Sequence, residues 1–325
     1  MLDKVVHGLE LVGGLAWRDS DTLLGFQVGA DHRPPLVAIR VSDGRERPVA
    51  LPDEAIFASA GQRRRSGWEY TGTPVVLPDG RIGLRRTFFD QTTPVPGAHP
   101  EYVAVDLAAN RAEAILSLDQ LQTDPLLLRD FVWNHDLSEV YAELRHPLED
   151  TCSTIVHLTR GGLEPLSLRV GDAATGWDLG VAANTMNNQD CDPQTGTARL
   201  LPSMERDARS VAFFATPTPS ERRRSDSTPT PTVGNIYSTR FGSKTAEVLV
   251  RDAVVVGAAL SPDGTRLAWN GRTLDGKLGC WILDLEHQDT TIVATDFFGS
   301  LAWSPDGRGL AALNVDGDTT IFRAS

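Results

Sequence analysis

The chain has 325 residues, a formal net charge of −12 and a pI near 5.0. Because a strongly acidic surface repels nucleic acid and anionic membranes, neither is expected as the main partner. No apolar run approaches the ~18 residues that indicate a membrane-spanning helix, so no membrane span is expected. Hydrophobic residues make up 41% of the chain, which is enough for a core of ordinary size.

The cysteines and the N-terminus bear on the location of the protein. Cys152, Cys191 and Cys280 lie far apart without CxxC spacing, so neither a disulfide framework nor a zinc site is predicted. The N-terminus lacks a basic region followed by a long apolar core, which an export signal would need. We therefore expect a cytoplasmic protein with reduced thiols. If a signal peptide has been removed, the location would be periplasmic or extracellular.

Short apolar runs separated by turn residues recur along the chain and predict β-strands. They fall into six groups, of which the last has only three members. By group, the predicted strands are residues 14–20, 23–28, 36–41 and 47–51; 73–77, 82–88, 102–106 and 112–116; 131–133, 140–144, 153–158 and 163–168; 198–201, 210–215, 235–241 and 246–250; 254–260, 266–270, 279–285 and 291–294; and 298–303, 309–313 and 319–323.

One turn sequence recurs between these strands. Pro-Asp-Gly stands at residues 78–80, 262–264 and 305–307, and Asp263 and Asp306 are 43 residues apart. Proline presets φ, aspartate bonds its own backbone, and glycine tolerates a positive φ, so each copy predicts a tight hairpin turn. The spacing is that of one four-stranded propeller blade. These residues resemble the repeat of TolB-like, or WD40-like (PD40 repeat), β-propellers.

The resemblance implies an all-β fold, and the strand groups predict its details. We expect a six-bladed β-propeller of four-stranded antiparallel blades, forming a single domain over residues 1–325. The last blade lacks a strand, and an N-terminal strand at residues 4–11 is expected to complete it, which protects an otherwise open edge. Seven blades, with a damaged repeat in residues 170–197, are the alternative.

The predicted loops are very unequal in length. In a propeller the long ones, at residues 54–72, 90–100, 117–130, 146–152, 171–196 and 216–234, would emerge on one face. Long loops in compact domains are usually functional or disordered, so we expect binding there; surface insertions without a function are the alternative. Residues 216–234 are rich in Pro, Ser and Thr, which predicts a flexible loop insertion.

Aromatic, arginine and histidine side chains in these loops are the candidate binding residues. They are Trp68, Arg63, Arg64, Arg65, His99, His146 and Trp177. Tryptophan and arginine dominate binding hot spots, and an arginine run can take an anionic group. The competing interpretation of the arginine run is a solvated charge cluster without a ligand.

Two motifs predict no cofactor or metal on closer reading. Residues 271–277 satisfy GxxxxGK, but Leu278 replaces the Ser or Thr of a phosphate-binding loop and a strand follows, so a hairpin loop is predicted. Asn188, Asp190 and Asp192 alternate like calcium ligands, but the glycine and the distal glutamate of a calcium loop are missing. No catalytic residues, metal or cofactor are therefore predicted.

The sequence thus favours a binding function over a catalytic one. The TolB-like resemblance implies a non-enzymatic scaffold that binds a protein or peptide, and we expect a monomer that uses the long loops. The alternative is a propeller enzyme of the hydrolase, lactonase or lyase type with its active site over the central channel. A carboxylate cluster or a bound ion at the channel mouth would favour the enzyme.

Overall fold

The protein is described by a computed structural model. It describes residues 2–7, 11–27, 35–54, 66–77, 79–90, 93–94, 101–117, 128–133, 138–145, 153–159, 162–165, 168–170, 177–179, 197–201, 210–216, 233–273, 275–296, 298–314 and 317–324. Within these ranges the regular structure is all β, and no helix is long and apolar enough to cross a membrane. The predicted insertion at residues 216–234 falls almost wholly outside them.

The described residues form strands β1 to β26. Their bounds are β1 Leu2–His7, β2 Leu11–Asp19, β3 Thr22–Gln27, β4 Leu36–Arg40, β5 Glu46–Pro48, β6 Gly67–Val76, β7 Ile82–Asp90, β8 Thr93–Pro94, β9 Glu101–Asp106, β10 Arg111–Ser117, β11 Leu128–Trp133, β12 Glu139–Arg145, β13 Ser153–Thr159, β14 Gly162–Pro165, β15 Leu168–Val170, β16 Trp177–Leu179, β17 Thr197–Leu201, β18 Ser210–Thr216, β19 Gly234–Arg240, β20 Thr245–Leu260, β21 Arg266–Thr273, β22 Leu278–Asp284, β23 Thr290–Ala294, β24 Phe298–Trp303, β25 Gly309–Asn314 and β26 Thr319–Ala324.

The chain divides into two compact units, residues 1–126 with 299–325 and residues 127–298. The first unit holds a sheet of β2 to β5 in chain order and a sheet of order β10-β9-β7-β6, to which β8 adds by pairing with β7. It also holds the sheet of order β1-β26-β25-β24. Apart from the β1–β26 pair and the short strand β8, neighbouring strands in these sheets follow one another in the chain, as they do in propeller blades. A single domain over the whole chain stays a prediction.

The N-terminal strand completes the last of these sheets. Leu2 to His7 pair antiparallel with Ala324 to Thr319, residue for residue. The sequence predicted a strand in this role at residues 4–11, and the observed strand starts and ends earlier. It covers the edge of β26 that would otherwise be open to another chain.

The sheets of the first unit pack through their apolar faces. One buried cluster joins Leu15, Trp17 and Leu23 to Ala311 and Ile321. A second joins the sheet of β2 to β5 to the sheet of β6 to β10; its buried members are Leu24, Phe26, Leu36, Ala38, Leu51, Tyr70, Ile82, Leu84, Val103 and Val105. Each strand contributes alternate residues, because successive side chains point to opposite faces of a sheet.

The second unit holds a four-stranded sheet and a nine-stranded sheet. The first has the order β11-β12-β13-β14. The second runs from β17 to β23 in chain order, with β15 paired in parallel to β20 and β16 paired to β15. Its core contains Leu260, Leu267, Trp269, Trp281 and Leu283.

The prediction of six blades of four strands is wrong, and so is the alternative of seven. The described strands form an all-β propeller with five sheets, because two predicted blades are joined by one strand. β20 runs unbroken through 16 residues and pairs first with β19 and then with β21. At the predicted break, Asp252 takes φ 53° and its N–H donates to Asn235 Oδ1 at 2.9 Å, so the strand bends without ending.

The Pro-Asp-Gly turns have the predicted chemistry. The Ser304 hydroxyl donates to Asp306 Oδ1 at 2.6 Å and accepts from the Gly309 N–H at 2.7 Å. Ser261 and Asp263 repeat this geometry at 2.6 Å, with the Arg266 N–H as donor to the serine at 2.9 Å. The turn glycines at 80, 264 and 307 have φ between 68° and 82°, where other residues are strained.

Candidate functional site

The sheet of β6 to β10 has two unlike ends. At one end, which we call the turn end, residues 77–81 connect β6 directly to β7. At the other, which we call the open end, β6 begins, β7 ends, β9 begins and β10 ends. The register pairs Gly67 with Phe89, Arg86 with Glu101 and Glu101 with Ser117, which places these four strand termini together. At this end, β8 pairs with the last two residues of β7.

Five side chains near the open end share one face of the sheet. Trp68 and Tyr70 lie on β6, Arg86 and Phe88 on β7, and Glu101 on β9. Trp68 pairs with Phe88, and Tyr70 pairs with Arg86, which pairs in turn with Glu101. Because side chains alternate along a strand, paired residues and those two positions away point to the same face. We call these five residues the Trp68 cluster.

Arg86 is held in place from two sides. Its Nε and Nη2 donate to Glu101 Oε2 at 3.0 and 2.8 Å. Its Cζ lies 3.9 Å from the ring centroid of Trp68, a cation–π contact. The arginine side chain is 12% exposed and that of Glu101 25% exposed, so the pair is largely shielded from solvent. The guanidinium is thus fixed before any ligand arrives.

Trp68 is also anchored by its neighbours, and its side chain is only partly buried. The ring of Phe88 meets it edge-on, with centroids 5.1 Å apart. The Trp68 backbone N–H donates to Asp53 O at 2.9 Å, and the Tyr70 hydroxyl donates to Pro52 O at 2.8 Å. These bonds tie the segment before residue 55 to the start of β6. The indole therefore offers a rigid, partly accessible apolar surface.

The protonation states at this end follow from burial. Burial raises the pKa of Tyr70, and the nearby Arg86 guanidinium only partly opposes that rise. Tyr70 is therefore neutral at pH 7 and keeps the proton that it donates to Pro52.

Of the residues predicted to bind, Trp68 is the one whose side chain the structure describes. It lies in a strand and not in a loop, because β6 begins at Gly67, within the predicted 54–72 loop. Trp177 opens the short strand β16 in the second unit, where it pairs with Val170. Arg63, Arg64, Arg65, His99 and His146 lie outside the described residues. The binding role of all seven residues, Trp68 included, stays a prediction.

The sequence interpretation missed Arg86, Phe88 and Glu101, as well as Tyr70, which fell within the predicted 54–72 loop. The strand predicted at residues 82–88 contained the first two, but no local pattern shows which residue a strand will pair with across a long loop. Side chains alternate along a strand, so Ile82, Leu84, Arg86 and Phe88 lie on the same face of β7. The charged Arg86 in this otherwise apolar row was the one signal in the sequence that could have indicated the site.

The structure also bears on the cofactor and metal motifs. Within the described ranges no three His, Cys, Asp or Glu side chains are grouped as a metal site would need. Asn188, Asp190 and Asp192 lie outside those ranges. The GxxxxGK segment joins β21 to β22 as a hairpin, with the Thr273 N–H donating to Lys277 O at 3.0 Å, as predicted.

No protein-family model and no curated protein sequence matches the chain. Solved structures do resemble it. Oligogalacturonate lyase from Vibrio parahaemolyticus matches 99% of this chain over 92% of its own length, with a TM-score of 0.52 and 10% identity. A gluconolactonase from Xanthomonas campestris matches with a TM-score of 0.54, 11% identity and 89% of its length. TolB from Acinetobacter baumannii matches with a TM-score of 0.47 and 15% identity, and this chain covers 64% of it. At such identities the likenesses to the lyase and the gluconolactonase show the fold alone, a β-propeller.

Proposed function

We propose that this chain is a TolB-like propeller with PD40-type repeats that binds a protein or peptide at the open end of the β6 to β10 sheet, without catalysis of its own. The proposal rests on the Trp68 cluster. In it, a partly buried indole and an arginine side chain that is 12% exposed are already fixed by neighbouring side chains. The repeated turn at residues 261–265 and 304–308 supports the PD40 part.

Preorganisation is what makes this cluster suited to binding. Fixing a long side chain on association costs about 0.5–1.5 kcal/mol, and a side chain that is already fixed avoids that cost. Tryptophan, tyrosine and arginine are the residue types that most often dominate binding energy. The cluster brings all three together within two strands.

The sequence adjoining the open end extends the same chemistry. Arg63, Arg64 and Arg65 come shortly before β6, and His99 comes shortly before β9. Arginine side chains can bind carboxylates through two parallel hydrogen bonds. The partner expected here therefore offers an apolar group to Trp68 and carboxylates to the arginines.

Affinity capture with matched variants tests this function. The tagged wild-type protein, Trp68→Ala and Arg308→Ala would each be exposed to extract of the native organism. Arg308 is exposed beside the Asp306 turn, away from the Trp68 cluster in the chain, and serves as the control. We expect one partner to be retained by the wild type and Arg308→Ala and lost with Trp68→Ala.

Titration calorimetry with the purified partner then measures the effect. Trp68→Ala should weaken binding by more than about 1 kcal/mol, or about fivefold in Kd, with an unchanged circular dichroism spectrum. Equal affinity of all three proteins would contradict the proposal. So would turnover of a small substrate by the purified protein that is unaffected by Trp68→Ala.

A further inference from the structure

Strand β23 lies at one edge of the nine-stranded sheet. Among the described terminal strands it is the least protected against pairing with another chain. Terminal strands usually carry charges or prolines that discourage pairing with another chain. Among the described sheets, every terminal strand contains a charged residue or a proline, except β23 and β24. β24 is mostly buried, whereas Thr290, Thr291 and Ile292 of β23 are all exposed.

The pairing pattern shows which backbone groups of β23 face outward. The Asp284 N–H donates to Asp289 O at 2.9 Å, which makes these two residues a hydrogen-bonded pair. Antiparallel pairs alternate between bonded and non-bonded, and Leu283 pairs with Thr290 and Trp281 with Ile292. The N–H and C=O groups of Thr290 and Ile292 therefore point away from β22. Among the described residues, β23 pairs with β22 alone.

A row of apolar side chains runs across the sheet and ends at this edge. Ala258, Trp269, Trp281 and Ile292 are successive cross-strand partners. The two indoles stack with centroids 4.3 Å apart, and both are buried. Ile292 is 50% exposed, and among the described strands none pairs with β23 on its outer side. One more strand with an apolar residue opposite Ile292 would continue the row and cover it.

Charges around the edge favour a basic occupant. Glu286 and Asp289 lie exposed before β23, and Asp296 lies exposed after it. A second copy of this chain, paired antiparallel about Ile292, would bring Asp289 of one copy near Asp296 of the other. Like charges at such positions are destabilising, so self-pairing is disfavoured.

From the outward backbone groups, the exposed end of the apolar row and the acidic flanks, we propose that β23 binds an extended basic peptide of a partner protein as an added β-strand. The peptide places an apolar side chain over Ile292 and lysine or arginine near Asp289 and Asp296. Main-chain hydrogen bonds to Thr290 and Ile292 supply affinity, and the alternate side chains supply selectivity. This surface is separate from the Trp68 cluster, so the proposal does not depend on the function proposed above.

The test uses a fluorescein-labelled synthetic peptide of alternating valine and threonine with lysines at both ends. Fluorescence anisotropy should show saturable binding below about 1 mM. A peptide with alternate N-methylated amides, which cannot add a strand, should not bind, and one with glutamates in place of the lysines should bind at least about tenfold more weakly. In amide hydrogen exchange, Thr290 and Ile292 should gain protection on binding, because their N–H groups face the peptide.

Variants of the protein complete the test. Ile292→Pro removes one outward N–H without touching the β22 ladder, and Ile292→Lys keeps the backbone and repels the peptide lysines; both should abolish binding. Leu278→Ala is the matched control, because Leu278 is 41% exposed but lies on β22. Absence of saturable binding, binding without protection at Thr290 and Ile292, or unchanged binding by Ile292→Lys would overturn the proposal. Concentration-dependent dimerisation that Ile292→Lys abolishes would overturn it in favour of a second copy.

Discussion

The two ends of the β6 to β10 sheet use polar side chains in opposite ways. At the turn end, Asp79 Oδ1 accepts from the Arg81 N–H at 3.0 Å, and the Arg81 side chain reaches Asp79 at 2.6 Å and Glu113 at 3.0 Å. At the open end, Arg86 joins Trp68 and Glu101, which are 33 residues apart in the chain. The turn end combines contacts between neighbours in sequence with one long-range pair, Arg81 and Glu113, whereas the open-end contacts all join strands brought together by folding.

This difference separates the parts that build the fold from the part that we expect to bind. The polar groups of the turns form hydrogen bonds with one another, so few donors or acceptors remain there to bind a ligand. The open end keeps a partly buried indole beside a fixed guanidinium, which is where we expect a partner to make contact. Replacing a buried polar group at either end should therefore lower stability, and variants of the open end should in addition weaken binding.

The largest stability effect is expected at the buried Ser304. Ser304→Ala leaves the buried Gly309 N–H without its acceptor, which should lower the free energy of unfolding by about 1–3 kcal/mol. Thr265→Ala is the matched control: it removes an exposed hydroxyl that donates to Asp263 at 2.8 Å and should change stability by less than about 0.5 kcal/mol. Urea denaturation measures both. Equal effects would show that burial of the turn serine does not matter.

A second pair of variants compares two arginines on the same hairpin. Arg86→Ala removes the partner of the shielded Glu101 and the cation above Trp68, and should cost about 1–2 kcal/mol of stability. Arg81→Ala breaks ion pairs with acids that are 45% and 62% exposed, and should cost less than about 0.5 kcal/mol. If thermal denaturation shows that Arg81→Ala costs more stability than Arg86→Ala, the open end is not held together more strongly than the turn end.

The smallest effect concerns the acid side of the stability profile. The Ser304 hydroxyl bond, with further help from the Arg308 backbone, lowers the pKa of Asp306. A lowered carboxyl pKa contributes stability that is present above about pH 4 and is lost as pH falls through the folded-state value. Asp306→Asn should thus lower Tm at pH 7 and converge with the wild type near about pH 2.

The Ser304→Ala background provides the control for this pH effect. Without the serine hydroxyl, the substitution Asp306→Asn should shift Tm less at pH 7 than it does in the wild type. A shift of equal size in both backgrounds would mean that Ser304 is not the cause of the lowered pKa.

The sequence predicted the turns and most strands because their chemistry is local. An Asp-Gly pair such as Asp79 and Gly80 predicts a hairpin turn from local sequence alone, and Gly80 has the expected positive φ. The continuity of β20 could not be predicted, because Arg251 and Asp252 look like a break and only Asn235, from another strand, satisfies the bend. Of the five residues in the Trp68 cluster, the sequence predicted only Trp68. Arg86 and Glu101 are brought together by the register between β7 and β9, which the sequence does not show.

Site-specific photo-crosslinking in the native host compares the two ends most directly. A photoreactive amino acid would replace Trp68 at the open end in one strain and Asp79 at the turn end in another, followed by irradiation and mass spectrometry of the adducts. The proposed function predicts a protein adduct from position 68 that is absent from position 79. The same adduct from both positions, or adducts from position 79 alone, would contradict a binding surface at the open end.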